Sequence, residues 1–227
     1  MPKISQAQRE NRRESILEAA LRCFARDGFH ATTTTDIARE AGVSQGTLYL
    51  YYATKDDMVV ALAHDRQAGE SFVSALAERE RDPVQGLRLM VELHGRALLD
   101  PARVDQRRVS VQGWGEALRN AAIRTSIVDG LAHARHAITR LIERGQRTGQ
   151  VVTSVQADAL ARLLIANFQG LLLQVAWDES VDLPACGKVV ATMIHDAVLT
   201  PLGRESWSRE PERHDRPLDD RNRGDPR

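Results

Sequence analysis

The 227-residue sequence predicts an all-α protein, in which a small three-helix domain is joined by a connecting helix to a larger helical domain. Apolar residues recur at helical spacing, and this is clearest in Ile16, Leu17, Ala20, Leu21 and Phe24. Capping residues, glycines and prolines divide the chain into helix-sized stretches. The sequence has neither sustained apolar–polar alternation nor an Asn-Gly hairpin signal, so no β-sheet is expected.

Two short helices are predicted after the first one. Thr33 and Asp36 have nearly the spacing and chemistry of a capping box, so the threonine run is expected to open a helix rather than form a strand. Gly42 ends that helix after two turns. Ser44 is placed to cap a third helix over residues 45–52.

The remaining helices follow the same signals. Thr54 and Asp57 repeat the capping pattern and open a connecting helix that is expected to reach about Arg81. Prolines and a glycine then delimit further helices at 83–99, 103–118, 121–148 and 157–177, and a last one that follows Pro184 and ends before Pro201.

The pattern predicts a flexible arm at 1–10, a helix-turn-helix domain at 11–55, a larger helical domain at 56–200, and a charged tail at 203–227. From Gly203 onward the chain has seven arginines and seven acidic residues, with only Trp207 and Leu218 as large apolar groups. Such a segment buries too little apolar surface to offset the entropy of ordering, so disorder is expected.

The composition limits the functions that are possible. Basic and acidic residues balance at 31 each, so a nucleic-acid partner would have to meet a local basic patch. Cys23 and Cys186 match no metal-binding or redox spacing, which favours free buried thiols in a reducing compartment. Neither a signal peptide nor an apolar run of about 20 residues is evident, so we expect a cytoplasmic protein with no membrane partner.

The third helix has the composition of a DNA-reading helix. Its first turn, Gln45-Gly46-Thr47, is small and polar and can enter a major groove, where Gln45 can bond adenine and Thr47 can touch a thymine methyl or a phosphate. Tyr49 can reach the DNA backbone, and Lys55 can contact a flanking phosphate. Residues 1–55 hold eight basic and six acidic residues, which suggests positioning contacts rather than strong nonspecific binding.

The run from Thr32 to Tyr52, followed by Thr54-Lys55-Asp56-Asp57, closely resembles the TetR family of transcriptional repressors. The resemblance covers about residues 11–65, and Tyr52 stands where the family usually has Phe. By motif position, it implies DNA contacts from Thr33, Ser44, Gln45, Thr47, Tyr49 and Lys55. One or both of Tyr51 and Tyr52 are expected to pack against the first helix. A frayed terminus is expected at Lys3 and Arg9, with a minor-groove arm as the alternative.

The larger domain resembles one subclass of that family's C-terminal domains through Gln112-x-Trp114-x-Glu116-Ala117 and the apolar segment 158–174. Its last two apolar helices suit a dimer-forming four-helix bundle. The apolar residues expected at the dimer interface are Leu160, Leu164, Leu171, Leu172 and Val175. The alternative is that they complete the subunit's own core.

A ligand pocket is expected among the helices that span 83–178. The residues expected to line it, or else to pack as ordinary core, are Met90, His94, Trp114, His133 and Phe168. His133 and His136 share a helix face, but the sequence offers no third metal ligand beside them. No metal and no cofactor is therefore expected.

The function predicted is a ligand-responsive transcriptional regulator, a repressor that binds a near-palindromic operator as a homodimer and releases it when a small molecule binds. Double-stranded operator DNA and a small-molecule effector are the expected partners. The chain has no glycine-rich phosphate loop, nucleophile elbow or His-Glu-x-x-His motif, so an enzyme is not expected. An activator or a nucleoid-associated factor with the same DNA-binding domain is the alternative.

Overall fold

A computed structural model describes residues 5–209, and within them the side chains of all residues except 66–73 and 76. The N-terminal part has three helices: α1 (Gln6–Ala31), α2 (Thr34–Glu40) and α3 (Gln45–Tyr49). The larger part contains α4 (Lys55–Arg79), α5 (Pro83–Leu99), α6 (Val104–Ala117), α7 (Ala121–Arg147), α8 (Ala157–Trp177), α9 (Leu183–Met193) and α10 (Pro201–Ser208). The predicted all-α fold is therefore confirmed, and the described residues include no β-strand.

Local capping explains where the first helices begin. Ser5 and Gln8 form a capping box that starts α1 at Gln6, so residues 6–10 are helical rather than part of a flexible arm. Lys3 lies outside the described residues. The predicted capping box of Thr33 and Asp36 is confirmed, as is that of Thr54 and Asp57.

Two hydrophobic cores are present, and α4 reaches both of them. The first core joins α1, α2 and α3 to Met58 and Val59 near the start of α4, and to Val109 and Ile123 from α6 and α7. The second core includes Ala77 from the end of α4 together with residues of α5, α7 and α8. A rigid helix thus connects the two packed regions of the molecule.

The segment that follows α9 pairs with the segment that precedes α8. After Met193 the chain makes a π-helical turn, Ile194–Val198, and Leu199 then forms an isolated antiparallel bridge with Val151. The Val152 amide donates to the Val198 carbonyl at 3.0 Å.

The expectation of disorder from Gly203 onward is wrong for the part of the tail that the structure describes. Residues 201–208 form α10, in which Gly203 and Ser206 are buried. The Ser206 hydroxyl donates to the Asp82 carboxylate at 2.6 Å, and Trp207 packs against the second core. These long-range contacts order a segment that is too polar to fold alone; residues 210–227, with Leu218, lie outside the described chain.

Helix α8 is long and apolar enough to cross a membrane, by length and composition only. The sequence prediction did not identify it as such. Its Ala157, Ala161 and Leu172 are buried, but most of its apolar window is not.

Both cysteines are free thiols. Cys23 is buried in the first core, and burial raises the pKa of its thiol. Cys186 is only half-buried, so the expectation of burial is confirmed for one cysteine and not for the other.

Candidate functional site

The turn between α2 and α3 has the geometry that the sequence predicts. Gly42 has φ +64°, a backbone conformation that favours glycine, and the Val43 amide donates to the Ala38 carbonyl at 3.0 Å. Ser44 caps α3, because its hydroxyl accepts the Thr47 amide at 3.1 Å. This turn fixes α3 against α2.

The two faces of α3 differ sharply. Leu48 is fully buried in the first core, while Gln45, Gly46 and Tyr49 are exposed. The helix ends at Tyr49 rather than at residue 52, since the chain turns there and brings Tyr52 into the core. The expected packing role of Tyr52 is confirmed.

The polar residues of the exposed face form one cluster. The hydroxyls of Tyr49 and Thr34 share a hydrogen bond of 3.1 Å, and the Gln45 amide donates to the Thr34 hydroxyl at 3.4 Å. Thr34 was not among the predicted DNA contacts. Thr34 can make these contacts because the capping box uses the side chain of Thr33 and leaves that of Thr34 available to reach α3.

Thr33 itself is occupied by the cap. Its backbone amide and hydroxyl both donate to the Asp36 carboxylate, at 3.1 and 2.6 Å. These hydrogen bonds hold the pKa of Asp36 below its ordinary value. A contact between the Thr33 side chain and DNA would therefore either break these hydrogen bonds or form beside them.

Lys55 has a different place from the one predicted. Its ammonium group donates to the Phe29 carbonyl and, at 3.0 Å, to the Thr32 carbonyl. Carbonyls after the last turn of a helix lack intrahelical partners, and a lysine ammonium satisfies them well. The geometry favours a structural role for Lys55, with at most one N–H left for a phosphate.

Several cationic side chains of α1 and α2 are already paired with carboxylates. Arg22 and Arg26 both contact the Glu40 carboxylate, at 2.8 and 3.7 Å, and the hydrogen bond from Arg22 lowers the pKa of that carboxyl. Arg39 pairs with Asp36. Arg12 is exposed on α1, beside a shallow depression that Tyr51 also lines, and it has no partner among residues 5–209.

The larger domain contains a cavity of about 820 Å³, lined by residues of α5, α7, α8, α9 and α10. Met90, His94 and Phe168, which the sequence suggested as pocket residues, all line it. The rings of His94 and Phe168 meet edge to face with centroids 5.0 Å apart. His94 Nδ1 lies 2.7 Å from the Met90 carbonyl, which can only accept, so this nitrogen is the donor.

Two of the suggested pocket residues lie elsewhere. His133 is exposed on α7, whose cavity-facing positions are Leu131, Ala134 and Ile138, and Trp114 on α6 is not a lining residue. The charged residues that line the cavity (Arg88, Glu92, Arg96 and Lys188) and Trp207 were not predicted from the sequence. Arg88 and Glu92 each lie two residues from Met90, so helical spacing does not place them on its face, and Trp207 lies in the tail that was expected to be disordered.

The residues suggested for a dimer interface face inward. Leu172 is buried within the subunit, Leu164 and Leu171 line the cavity, and Leu160 packs against the second core. Val175 is half-buried. The alternative, that these residues complete the subunit's own core, describes their positions better.

A different apolar surface is exposed on the last two long helices. On α8, Leu163 and Trp177 are 67% and 75% exposed and lie fourteen residues, or two heptads, apart on one face. On α9, Val189 and Met193 are 59% and 62% exposed and lie one turn apart. We call these four residues the α8–α9 face.

The part of the chain that the structure describes shows no group of three or more His, Cys, Asp or Glu side chains placed to hold a metal ion.

Comparison with known proteins places both parts of the chain in one family. Residues 16–62 match the model described as bacterial regulatory proteins of the tetR family. Residues 83–199 match the C-terminal domain model of BetI-type transcriptional repressors. The second match alone covers more than half of the chain.

Two curated relatives align over most of their length. The transcriptional repressor AcnR of Corynebacterium glutamicum is 26% identical over 172 residues, which cover 76% of this chain and 86% of the relative. The transcriptional regulator UidR of Escherichia coli is 25% identical over 177 residues, which cover 77% and 86% respectively.

Solved structures show the same fold. A transcriptional regulator from Saccharomonospora viridis, determined in complex with choline, superposes with a TM-score of 0.69 and 28% identity, covering 84% of this chain and 99% of that one. The fatty acid degradation regulator FadR of Bacillus halodurans has a TM-score of 0.71 at 21% identity, covering 82% and 95%, which shows the fold alone. The relatives regulate transcription and are not enzymes. This chain belongs to the TetR family and is a DNA-binding transcriptional regulator.

Proposed function

We propose that the protein is a homodimeric repressor that binds a near-palindromic operator and releases it when a small molecule enters the cavity. The observation that supports DNA binding is the exposed polar face of α3. The buried Leu48 and the capped turn that contains Gly42 fix the position of this helix. Repression is supported by the matched C-terminal model and by AcnR, both described as repressors. Such a protein acts in the cytoplasm, where bacterial DNA lies.

The direct readers of the operator are Gln45 and Thr47, at the first turn of α3. Gln45 can form two hydrogen bonds with adenine, and Gly46 between them lets the backbone approach the base edges. Tyr49 and Ser44 are placed for phosphate contacts, and Arg12 on α1 is free to add another. Thr34 enters the same polar surface through its hydrogen bonds with Tyr49 and Gln45.

Dimerisation through the α8–α9 face would bury its exposed apolar side chains in a four-helix bundle of two subunits. A twofold dimer presents two α3 helices to successive major grooves about 34 Å apart, and this symmetry is why the operator is expected to be nearly palindromic. This face replaces the inward-facing leucines as the proposed interface.

Release depends on α4, which reaches both hydrophobic cores. Two side-chain contacts also connect the DNA-binding domain with the larger one: Gln112 with the Phe24 carbonyl at 3.1 Å, and His30 with Glu116 at 2.8 Å. A ligand that shifts α5 or α7 would move these connections and change the spacing of the two α3 helices. A coupling free energy of about 1–3 kcal/mol would weaken operator binding 5- to 150-fold.

The test is a salt-titrated mobility shift on DNA that flanks the protein's own gene, followed by a footprint. We expect tight binding to one near-palindrome, and binding to be weakened by about 1–3 kcal/mol in Gln45→Ala, because one base contact is lost. The matched control is Gln106→Ala, an exposed glutamine on α6 outside the DNA-binding domain.

Equal affinity of Gln45→Ala and the wild type for the footprinted site would contradict the proposed role of α3. A footprint that overlaps the promoter supports repression, whereas one upstream of it supports the alternative, activation.

A further inference from the structure

The cavity of about 820 Å³ is lined mainly by apolar side chains. Its volume lies within the range of about 300–1,000 Å³ that is usual for small-molecule sites. The apolar lining includes Leu87, Met90, Ile138, Leu164, Phe168 and Val190, and the uncharged polar lining residues are His94, Asn167, Gln169 and Ser208. A ligand with many hydroxyl groups would lose more hydrogen bonds to water than these few polar groups can replace, so the cavity favours a ligand with a large hydrocarbon part.

Charged side chains among the lining residues are mainly cationic. Arg88, Arg96 and Lys188 line the cavity together with a single carboxylate, that of Glu92. Arg88 lies 2.9 Å and Arg96 3.9 Å from the Glu92 carboxylate, so the one anion is already neutralised. A bound cation would meet net positive charge.

Of the three cations, Lys188 is free to meet a ligand. Arg88 also donates to the Trp207 and Arg209 carbonyls, at 2.6 and 2.8 Å, and thereby holds the end of α10 against α5. The Lys188 ammonium has no partner among residues 5–209, and Lys188 is an exposed residue that also lines the cavity. An ammonium in this position can pair with an anion without breaking an existing contact.

We propose that the effector is an amphiphile with a hydrocarbon chain and a single anionic headgroup, such as a carboxylate. The chain lies against α5, α7 and α8, and the headgroup pairs with Lys188. This inference deepens the proposed function, because it rests on the cavity being the effector site. It also excludes a quaternary ammonium compound such as choline as the effector of this protein.

Three probes share a ten-carbon chain but differ in headgroup, and so separate burial of the chain from the effect of charge: decanoate, decan-1-ol and decyltrimethylammonium. Choline is the fourth probe. Binding to the purified full chain is measured by calorimetry below the micelle concentration of each probe, without DNA. We expect decanoate to bind most tightly, decan-1-ol more weakly, and the two cations least.

The variant Lys188→Ala should weaken decanoate binding about fivefold, as is typical of one solvent-accessible ion pair in favourable geometry, and leave decan-1-ol binding unchanged. Because Lys188 is exposed and unpaired, the variant should fold. Arg147→Ala is the matched control, since Arg147 is exposed, lies outside the cavity and has no partner in the described chain.

Tighter binding of decyltrimethylammonium or choline than of decanoate would overturn the proposal, and so would equal losses for decanoate and decan-1-ol in Lys188→Ala. Failure of decanoate to bind would overturn it too. If decanoate binds through Lys188 but does not release operator DNA, the ligand class stands and the proposed release mechanism fails.

Discussion

The Tyr52 side chain is well packed, but its hydrogen-bonding capacity is not used within residues 5–209. Its ring is buried in the first core, and the Arg13 guanidinium lies 5.4 Å from the ring centroid. Its hydroxyl is also buried, yet it has no hydrogen-bond partner within residues 5–209. Burial raises the pKa of this phenol, as expected for a group that has lost its contact with water.

Tyr52→Phe should therefore stabilise the protein. The substitution removes a buried hydroxyl without a partner and keeps the ring, so the free energy of unfolding should rise by about 1 kcal/mol. Thermal unfolding checks this, with an expected increase in Tm of about 2–4 °C. Tyr51→Phe, at a half-buried neighbour, is the control and should change little. A lower Tm for Tyr52→Phe would show that the hydroxyl has a partner, such as an ordered water.

At the scale of single elements, α10 shows how long-range contacts order a polar segment. Asp82, the cap of α5, accepts hydrogen bonds from both Ser206 and Gln150, at 2.6 and 3.1 Å. Gly203 lies so close to the Gln150 backbone that a Cβ there would be only 3.0 Å from the carbonyl carbon. Trp207 of this helix lines the cavity, so α10 is part of the proposed effector site.

Gly203→Ala should displace α10. The added methyl group would overlap the backbone of Gln150, which cannot move without disturbing the bridge between Val151 and Leu199. We expect a loss of about 1–3 kcal/mol in the free energy of unfolding, measured by urea denaturation. Weaker decanoate binding should accompany it.

Gly115→Ala is the matched control for that substitution. Gly115 is an exposed helical glycine on α6, and a Cβ there would meet no atom within 4 Å. Alanine at this position should stabilise the protein by about 0.5–1 kcal/mol, because alanine has fewer backbone conformations than glycine in the unfolded chain and so loses less entropy on folding. If both variants changed stability equally, close packing at Gly203 would not be the cause of the effect.

At the scale of the whole molecule, the α8–α9 face is the largest feature that a single subunit leaves unexplained. Leu163, Trp177, Val189 and Met193 are exposed on two helices that follow one another near the C-terminus. The apolar composition that makes α8 resemble a membrane span is divided between this face and the buried side of the same helix. A helix with two apolar faces is expected where one faces the subunit core and the other a partner.

Leu163→Arg should dissociate the dimer without unfolding the subunit. The side chain is exposed in the subunit, but an arginine would be buried opposite its own copy or another apolar group in the dimer. We expect the mass measured by light scattering to fall to that of one chain, and operator affinity to fall at least tenfold because only one α3 helix can then bind.

Leu118→Arg provides the control, since Leu118 is 82% exposed at the end of α6 and lies outside the α8–α9 face. A dimer that persists in Leu163→Arg with full operator affinity would argue for another interface.

The features predicted correctly from sequence are those that depend on near neighbours. The capping of Thr33, Ser44 and Thr54, and the end of α2 just before Gly42, follow from hydrogen bonds and backbone preferences within a few residues. The buried position of Leu48 follows from helical periodicity over the same short range. A single turn of helix is enough to specify each of these features.

The remaining features were decided by tertiary structure, because they depend on residues far apart in the chain. Lys55 caps carbonyls at the end of α1, and Ser206 reaches Asp82 across the fold. The sequence alone shows that α8 is the most apolar stretch of the chain, with more large apolar residues than a single buried stripe requires. Which leucines point inward and which remain for a partner depends on the rotation of the helix against its neighbours, and only packing sets that rotation.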